Sequence, residues 1–257
     1  MKEFIERILT FFGKKPKKET VEAPKTEVVV VKEPEVIKET PVVEAPKIEE
    51  PKVEAPKVEI EKIPLDFGFI VGHNINAQGA NNYLGESEWI FNKRVATKAI
   101  AKLEALNYSN VYMLLRPDGE YNRQVSHIVH QVTELKIKNT LELHFNSASG
   151  RALGVETLIS QSATEEDNKA AILFADLLSK KYNFNFKERA DNGVFTVDKN
   201  HNGAGMLYAI SRAGAVAILV EPCFANYRNP ESIAIFENED FYVDVLVETA
   251  IFMGKTK

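Results

Sequence analysis

The chain changes composition sharply at Pro64, and this break limits which part of it can form a packed core. Eight of the 11 prolines lie at or before Pro64, and residues 15–64 contain neither glycine nor aspartate. The pentapeptide VEAPK occurs three times in this stretch. Short proline-containing repeats of charged and small apolar residues cannot bury enough surface to fold, and they favour an extended spacer. We therefore predict that residues 14–64 form a disordered tether.

The first 13 residues differ from the tether because their apolar side chains recur at helical spacing. These side chains are Phe4, Ile5, Ile8, Leu9 and Phe12. The spacing predicts a short amphipathic helix over residues 1–13. Such a helix docks on a membrane surface or on a partner protein, or it remains marginal and unpartnered, since short helices are weakly stable alone. The sequence leaves these alternatives open.

The composition excludes several classes of partner and segment. The net charge is −5 and no long basic run is present, so we expect no nucleic-acid partner. Cys223 is the single cysteine, which rules out a disulfide within the chain. The sequence contains no run of 18 apolar residues, so no transmembrane helix is predicted. Charged residues interrupt the apolar N-terminus and no small-residue cleavage site follows, so no secretory signal peptide is predicted.

Beyond the tether, apolar runs typical of strands alternate with helical patterns. The strand-like runs are 67–71, 111–115, 140–145, 155–159 and 215–220; the helical patterns are 88–106, 122–135, 165–182, 231–236 and 239–253, with a short helix or turn at 206–212. This alternation predicts an α/β domain over residues 65–257. We expect a twisted, mostly parallel sheet with helices on both faces.

Four polar residues follow strands or open a helix of this domain. His73 follows the first strand, and Glu88 opens the first long helix. His144 lies near the end of a later strand, and Glu221 follows the last one. Ligands of open α/β sheets bind beyond the carboxyl ends of the strands, so these side chains can converge on one edge. Two histidines and a carboxylate form a catalytic zinc set, and a further carboxylate can transfer protons.

Several short motifs around these residues occur in a fixed order along the domain. They are Val71-Gly72-His73; Glu88 with Asn92 and Ala96; Leu115-Arg116; Arg123; His144-Phe145-Asn146-Ser147; Gly154-Val155-Glu156-Thr157; Asn192-Gly193-Val194; and Leu219-Val220-Glu221 with Phe224 and Asn226. In this order the domain resembles the zinc-dependent N-acetylmuramoyl-L-alanine amidase family. The resemblance covers about three quarters of the chain, and the ordered set is more specific than any single motif.

The resemblance implies both an activity and the roles of four residues. In this family, two histidines and a glutamate bind zinc and a late glutamate is catalytic. Carried over, His73, Glu88 and His144 are the Zn²⁺ ligands, and Glu221 is the acid and base. The substrate is peptidoglycan, cleaved between N-acetylmuramic acid and the L-alanine of the stem peptide.

Two departures from the family's pattern affect the loop that carries the first ligand. Asn74 stands where the family usually has glycine after the histidine, and Ile70-Val71 replaces the usual Asp-Pro before Gly-His. Both changes concern the backbone of the loop and the fit of the substrate more than the metal chemistry.

Other polar residues receive weaker interpretations. Asn146, Arg123 and His201 are candidates for substrate binding or for orienting the site. Glu156 belongs to one of the family's motifs, but the sequence assigns it no task. Cys223 is expected to be a small buried residue rather than a nucleophile.

Two further sets compete with the predicted metal ligands. Glu86 is an alternative to Glu88, which we favour because Asn92 and Ala96 keep the family's helical register behind it. His127 and His130 are three residues apart on a helix, but no nearby carboxylate and histidine complete a second metal site.

Three rival functions follow from the same residues. The domain could hydrolyse another amide with the same site, bind cell wall without catalysis, or serve as cargo for a function of the N-terminus. The amidase interpretation places the protein at the bacterial cell wall, in the periplasm or outside the cell. Without a clear signal peptide, we expect either a phage-encoded enzyme or a bacterial enzyme exported by an atypical route.

Overall fold

The computed structural model describes residues 61–149, 151–183, 186, 193–198 and 205–255. The predicted N-terminal helix, nearly all of the predicted tether and His201 lie outside these residues. The strands are β1 (Ile63–Val71), β2 (Tyr108–Leu115), β3 (Asn139–Leu143), β4 (Glu156–Ser160), β5 (Val194–Val197) and β6 (Val216–Glu221). The helices are α1 (Glu88–Ala105), α2 (Tyr121–Glu134), α3 (Glu165–Tyr182), α4 (Gly205–Arg212), α5 (Pro230–Glu237) and α6 (Glu239–Lys255).

The six strands form one sheet in the order β2-β1-β3-β6-β4-β5. β4 runs antiparallel to β6, and the other neighbouring pairs are parallel. The prediction of a mostly parallel sheet is therefore confirmed. β1, β3 and β6 lie side by side at its centre, so their carboxyl ends share one edge.

Apolar side chains on the two faces of the sheet form two separate cores. Phe67, Phe69 and Val71 of β1 belong to a core shared with α1, α3 and α6. Ile70 belongs to the other core, which includes residues of α2 and α4. Successive side chains of a strand point to opposite faces, so a central strand that is apolar at nearly every position feeds both cores. Helices cover both faces, as the alternating pattern predicts.

The first strand begins earlier than the sequence predicts. β1 starts at Ile63, where the sequence predicts tether, and pairing with β2 begins at Ile63 and Tyr108. The pairing register shifts between Pro64 and Phe67, and Asp66 between them has a φ of 49°. Proline and aspartate disfavour regular strands, so the local sequence does not predict a strand here. Pairing with β2 nevertheless keeps the segment in the sheet.

Two other strands differ from their predicted bounds or were missed. β3 ends at Leu143, so His144 and Phe145 lie beyond the strand. β5 has only four residues and was not predicted. Among the residues that the structure describes, no helix is long and apolar enough to span a bilayer.

Candidate active site

The central strands bring the predicted site residues to one edge of the sheet. Val71 pairs with Leu143 and Leu143 pairs with Val220, so β1, β3 and β6 end at the same level. The N–H of His144 donates to the carbonyl of Val220 at 3.0 Å. His73 and His144 therefore follow two adjacent strands, and Glu221 is the last residue of the third.

Glu88 joins the two histidines into one cluster. Its Oε2 lies 3.2 Å from Nε2 of His73, and its Oε1 lies 2.8 Å from Nδ1 of His144. One potential ligand atom from each of the three residues lies within 4.8 Å of the others. In the described part of the chain, this is the one group of at least three histidine, cysteine or acidic side chains placed to share a metal ion.

The start of α1 holds the Glu88 carboxylate in place. Ser87 caps the helix by accepting from the N–H of Ile90, and the N–H of Glu88 donates to the carbonyl of Ala80 at 2.9 Å. The N–H of Phe145 donates to Oε1 of Glu88 at 3.1 Å. Burial raises the pKa of Glu88, but hydrogen bonds to His144 and His73 outweigh it and lower this pKa to about 2. Glu88 is therefore ionised at neutral pH.

Two glycines let the backbone close around the cluster. A Cβ on Gly72 would lie 2.5 Å from Cε1 of His144, and a Cβ on Gly79 would lie 2.6 Å from Oε2 of Glu88. Such distances are too short for real side chains, so His144 and Glu88 pack directly against glycine backbone. His73 has a φ of 66°, a conformation that costs a non-glycine residue about 1 kcal/mol or more.

The other ring nitrogen of His144 faces a buried ion pair that the sequence did not predict. Glu142 and Arg116 are buried and form an ion pair, and Oε1 of Glu142 lies 3.2 Å from Nε2 of His144. A histidine that binds a metal through Nδ1 carries its proton on Nε2 and can donate it to Glu142. Such a carboxylate partner fixes both the tautomer and the ring orientation of a metal ligand.

Asn146 links two carboxylates beside the cluster. Its Nδ2 donates to Oε2 of Glu221 at 2.9 Å and to Oε2 of Glu156 at 2.8 Å. Glu156 lies directly across from Glu221 in the antiparallel pair of β4 and β6. The pKa of Glu221 is raised to about 7. Burial is the largest cause, the nearby charge of His144 lowers the pKa, and Glu156 raises it further. A carboxyl group with such a pKa can accept and return a proton near neutral pH.

The remaining sequence candidates lie elsewhere. Glu86 pairs with Arg94 on α1 and does not join the cluster. Arg123 is exposed in the first turn of α2, where its side chain lies near Gly119. His127 and His130 are exposed on the same helix.

Cys223 is fully buried, as the sequence predicts. Its burial raises the pKa of the thiol well above the usual value. The residue is therefore an uncharged thiol packed in the core shared by α1, α3 and α6.

The ligand set fits a zinc ion. Two imidazole nitrogens and one carboxylate oxygen are ligands that zinc prefers at catalytic sites, where a fourth position remains for water or substrate. The fold and the site together define an α/β domain with a candidate metal centre and a buried carboxylate beside it at one edge of the sheet.

Comparison with known sequences narrows this class to one family. The sequence profile described as N-acetylmuramoyl-L-alanine amidase matches residues 69–251. The chain therefore belongs to the N-acetylmuramoyl-L-alanine amidase family, as its motifs predict. It is an enzyme of this activity, which hydrolyses the amide bond between N-acetylmuramic acid and the stem peptide. No curated protein sequence matches the chain significantly.

Solved structures of amidase domains share the fold. The catalytic domain of the CD27L endolysin targeting Clostridia difficile has a TM-score of 0.57 at 21% identity, covering 74% of this chain and 97% of that one. An N-acetylmuramoyl-L-alanine amidase from Clostridium difficile 630 has a TM-score of 0.58 at 16% identity, with coverages of 77% and 100%. Ami1 from Mycobacterium abscessus has a TM-score of 0.57 at 13% identity, with coverages of 76% and 99%.

Proposed function

We propose that the amidase reaction uses Zn²⁺ held by His73, Glu88 and His144, with Glu221 as the acid and base. The observation that carries this proposal is that the buried carboxylate of Glu88 contacts both His73 and His144. The two histidines follow neighbouring strands, and the next strand of the sheet ends at Glu221. Zn²⁺ bound there would lower the pKa of a coordinated water and polarise the amide carbonyl.

The chain's own residues supply the proton transfers. The Glu221 carboxylate accepts the proton of the attacking water and then gives it to the nitrogen of the departing L-alanine. The amide of Asn146 holds this carboxylate by donating to its Oε2. Glu156 accepts from the same Asn146 nitrogen, which fixes the orientation of the amide. Asn146 and Glu156 are thus positioning residues.

A catalytically silent binding module would not need this arrangement. The three proposed ligands lie close together, and burial raises the pKa of Glu221 into the range suited to proton transfer near neutral pH. Burying such groups without a task is costly. The intact set favours an active enzyme over a silent module.

We further propose that the enzyme acts on peptidoglycan outside the cytoplasmic membrane. This location follows from the substrate class of the family. Both a phage-encoded enzyme and an exported bacterial enzyme are compatible with it.

Two variants test the assigned roles. Glu221→Gln should keep one bound zinc per chain while lowering kcat on muropeptides about 100-fold or more, because proton transfer is lost. His144→Ala is the matched change in a ligand and should lose the metal as well. Zinc content by elemental mass spectrometry and turnover by chromatography measure both effects. Near-normal turnover of Glu221→Gln would show that another group is the base.

A further inference from the structure

A cavity between the loops that follow β3 and β6 has a positively charged lining. Its volume is about 670 Å³. Its walls come from the loop that follows β3, including Ala148 and Arg151, and from the loop that follows β6, including Asn226 and Arg228. The same two strands carry His144 and Glu221 at their ends.

Backbone and side-chain hydrogen bonds join the cavity wall to the site. The N–H of Asn146 donates to the carbonyl of Cys223 at 2.9 Å, and the N–H of Ala225 donates to the carbonyl of Asn146 at 2.9 Å. Two residues further along, the amide of Asn226 donates to the carbonyl of Ala148 at 2.8 Å and accepts from its N–H at 3.2 Å. Hydrogen bonds therefore connect the two loops from Asn146, whose amide donates to Glu221, as far as the wall of the cavity.

The charges of the lining select the kind of ligand. Two of the lining residues are arginines, Arg151 and Arg228, and none is acidic. Arg228 makes an exposed contact with Glu237 at 3.5 Å and a hydrogen bond with Tyr83, and exposed pairs of this kind contribute little to stability. Guanidinium groups pair with carboxylates through strong charge-assisted hydrogen bonds. The cavity therefore suits an anionic group of a ligand.

We propose that during amide hydrolysis this cavity binds the free α-carboxylate of the stem-peptide glutamate, which is the carboxylate nearest the cleaved amide. This inference rests on the proposed function. The peptide on one side of the cleaved amide carries carboxylates, whereas the amide and the N-acetylated sugar ring on the other side are neutral. A basic cavity walled by the loops that follow β3 and β6 thus orients the leaving peptide, and it favours peptides whose glutamate α-carboxylate is free over amidated ones.

Peptide binding tests the inference directly. The probes are L-alanyl-γ-D-glutamyl-L-lysine with the glutamate α-carboxylate free and the same tripeptide with that group amidated, each titrated calorimetrically into the full-length zinc-loaded protein. The free acid should bind about tenfold more tightly, since a charged hydrogen-bonded pair is lost on amidation. Arg151→Gln and Arg228→Gln should each reduce this preference, and the double variant should abolish it. Arg212→Gln removes one positive charge from an exposed position of α4, and this control should leave the preference for the free acid intact.

Hydrolysis of the corresponding muropeptides separates this inference from the proposed function. The double variant should raise KM for the free-acid muropeptide about tenfold, with kcat and the KM of the amidated one unchanged. Equal binding of both tripeptides, or an unaltered preference in the double variant, overturns the subsite even where hydrolysis proceeds. A preference that depends on the arginines, with no hydrolysis of either muropeptide, supports the subsite and refutes the proposed catalytic function.

Discussion

Individual residues of the site differ in how far the sequence reveals them. The convergence of His73, Glu88, His144 and Glu221 could be predicted because each lies at a strand end or opens a helix, in the order of the family's motifs. Glu142 was missed, although a signal was present. It lies two residues before His144, and alternate residues of a strand share a face. A carboxylate on the histidine's own face of a buried strand indicates a partner for the ring.

Three-dimensional contacts explain why Glu88 and not Glu86 joins the histidine cluster. Both lie near the start of α1, and both have the chemistry of a metal ligand. Arg94, eight residues further along the chain than Glu86, pairs with it, whereas Glu88 contacts the histidines. The helical register predicted this outcome, but the ion pair with Arg94 could not be predicted from spacing alone.

The buried Glu221 should make the stability of the metal-free protein depend on pH. A folded-state pKa of about 7 exceeds the value of about 4.3 for an unfolded glutamate. This group stabilises the fold fully below pH of about 4.3, and its contribution is lost as pH rises through about 7. Glu221→Gln should therefore gain in Tm relative to wild type across this window, with the gain levelling off above it.

Thermal unfolding from pH 4.5 to 8 in the presence of a chelator measures this difference. Glu104→Gln removes one carboxylate from an exposed position of α1 and is the control. A difference between wild type and Glu221→Gln that stays constant with pH would contradict the assignment of a raised pKa to Glu221.

Elements of the fold were predictable where the local pattern is strong. The apolar runs of β3 and β6 and the long helices α1 and α3 match their predicted positions within two residues. β5 has four residues, and its place depends on parallel pairing with β4 rather than on its own pattern. The antiparallel direction of β4 likewise depends on its partner β6, which is distant in sequence.

The turn after β1 should be intolerant of any side chain at Gly72. Gly72→Ala places a Cβ 2.5 Å from both Cε1 of His144 and the carbonyl oxygen of Leu143, so the ligand or the strand end must move. Zinc affinity should fall at least tenfold, because displaced ligands cannot keep the coordination geometry. Competition with a chromogenic chelator measures this affinity.

Gly85→Ala is the matched control in the next part of the same loop. Gly85 has a φ of 85° and no atom within 4 Å of an added Cβ, so alanine adds backbone strain of about 1 kcal/mol without a collision. It should lower Tm slightly and leave zinc affinity unchanged. Wild-type zinc affinity in Gly72→Ala would show that the close approach at Gly72 does not support the site.

At the scale of the whole molecule, the two cores and the site belong to the part of the chain that follows the predicted tether. The sheet begins at Ile63, and the family's profile matches residues 69–251. The composition break at Pro64 lies near the start of β1, and low-complexity repeats and packed cores have different compositions. Local composition could not reveal that the last residues before the break join β1.

Removal of residues 1–60 should separate catalysis from any task of the N-terminus. We expect the shortened protein to hydrolyse soluble muropeptides with kcat and KM within about twofold of the full chain, since all proposed site residues and β1 remain. Hydrolysis of intact wall material under the same conditions reports any contribution of the N-terminus to targeting. A large loss of activity on soluble muropeptides would show that the N-terminal residues contribute to the site itself.

The most direct test of the central claim is product analysis on purified, dye-labelled peptidoglycan with metal-depleted and zinc-restored enzyme. The account predicts that a chelator stops dye release and that added zinc restores it. Mass spectrometry should then find free stem peptides that begin with the amine of L-alanine. Release that persists without metal, or products that keep the bond between the lactyl group and L-alanine, would contradict the account.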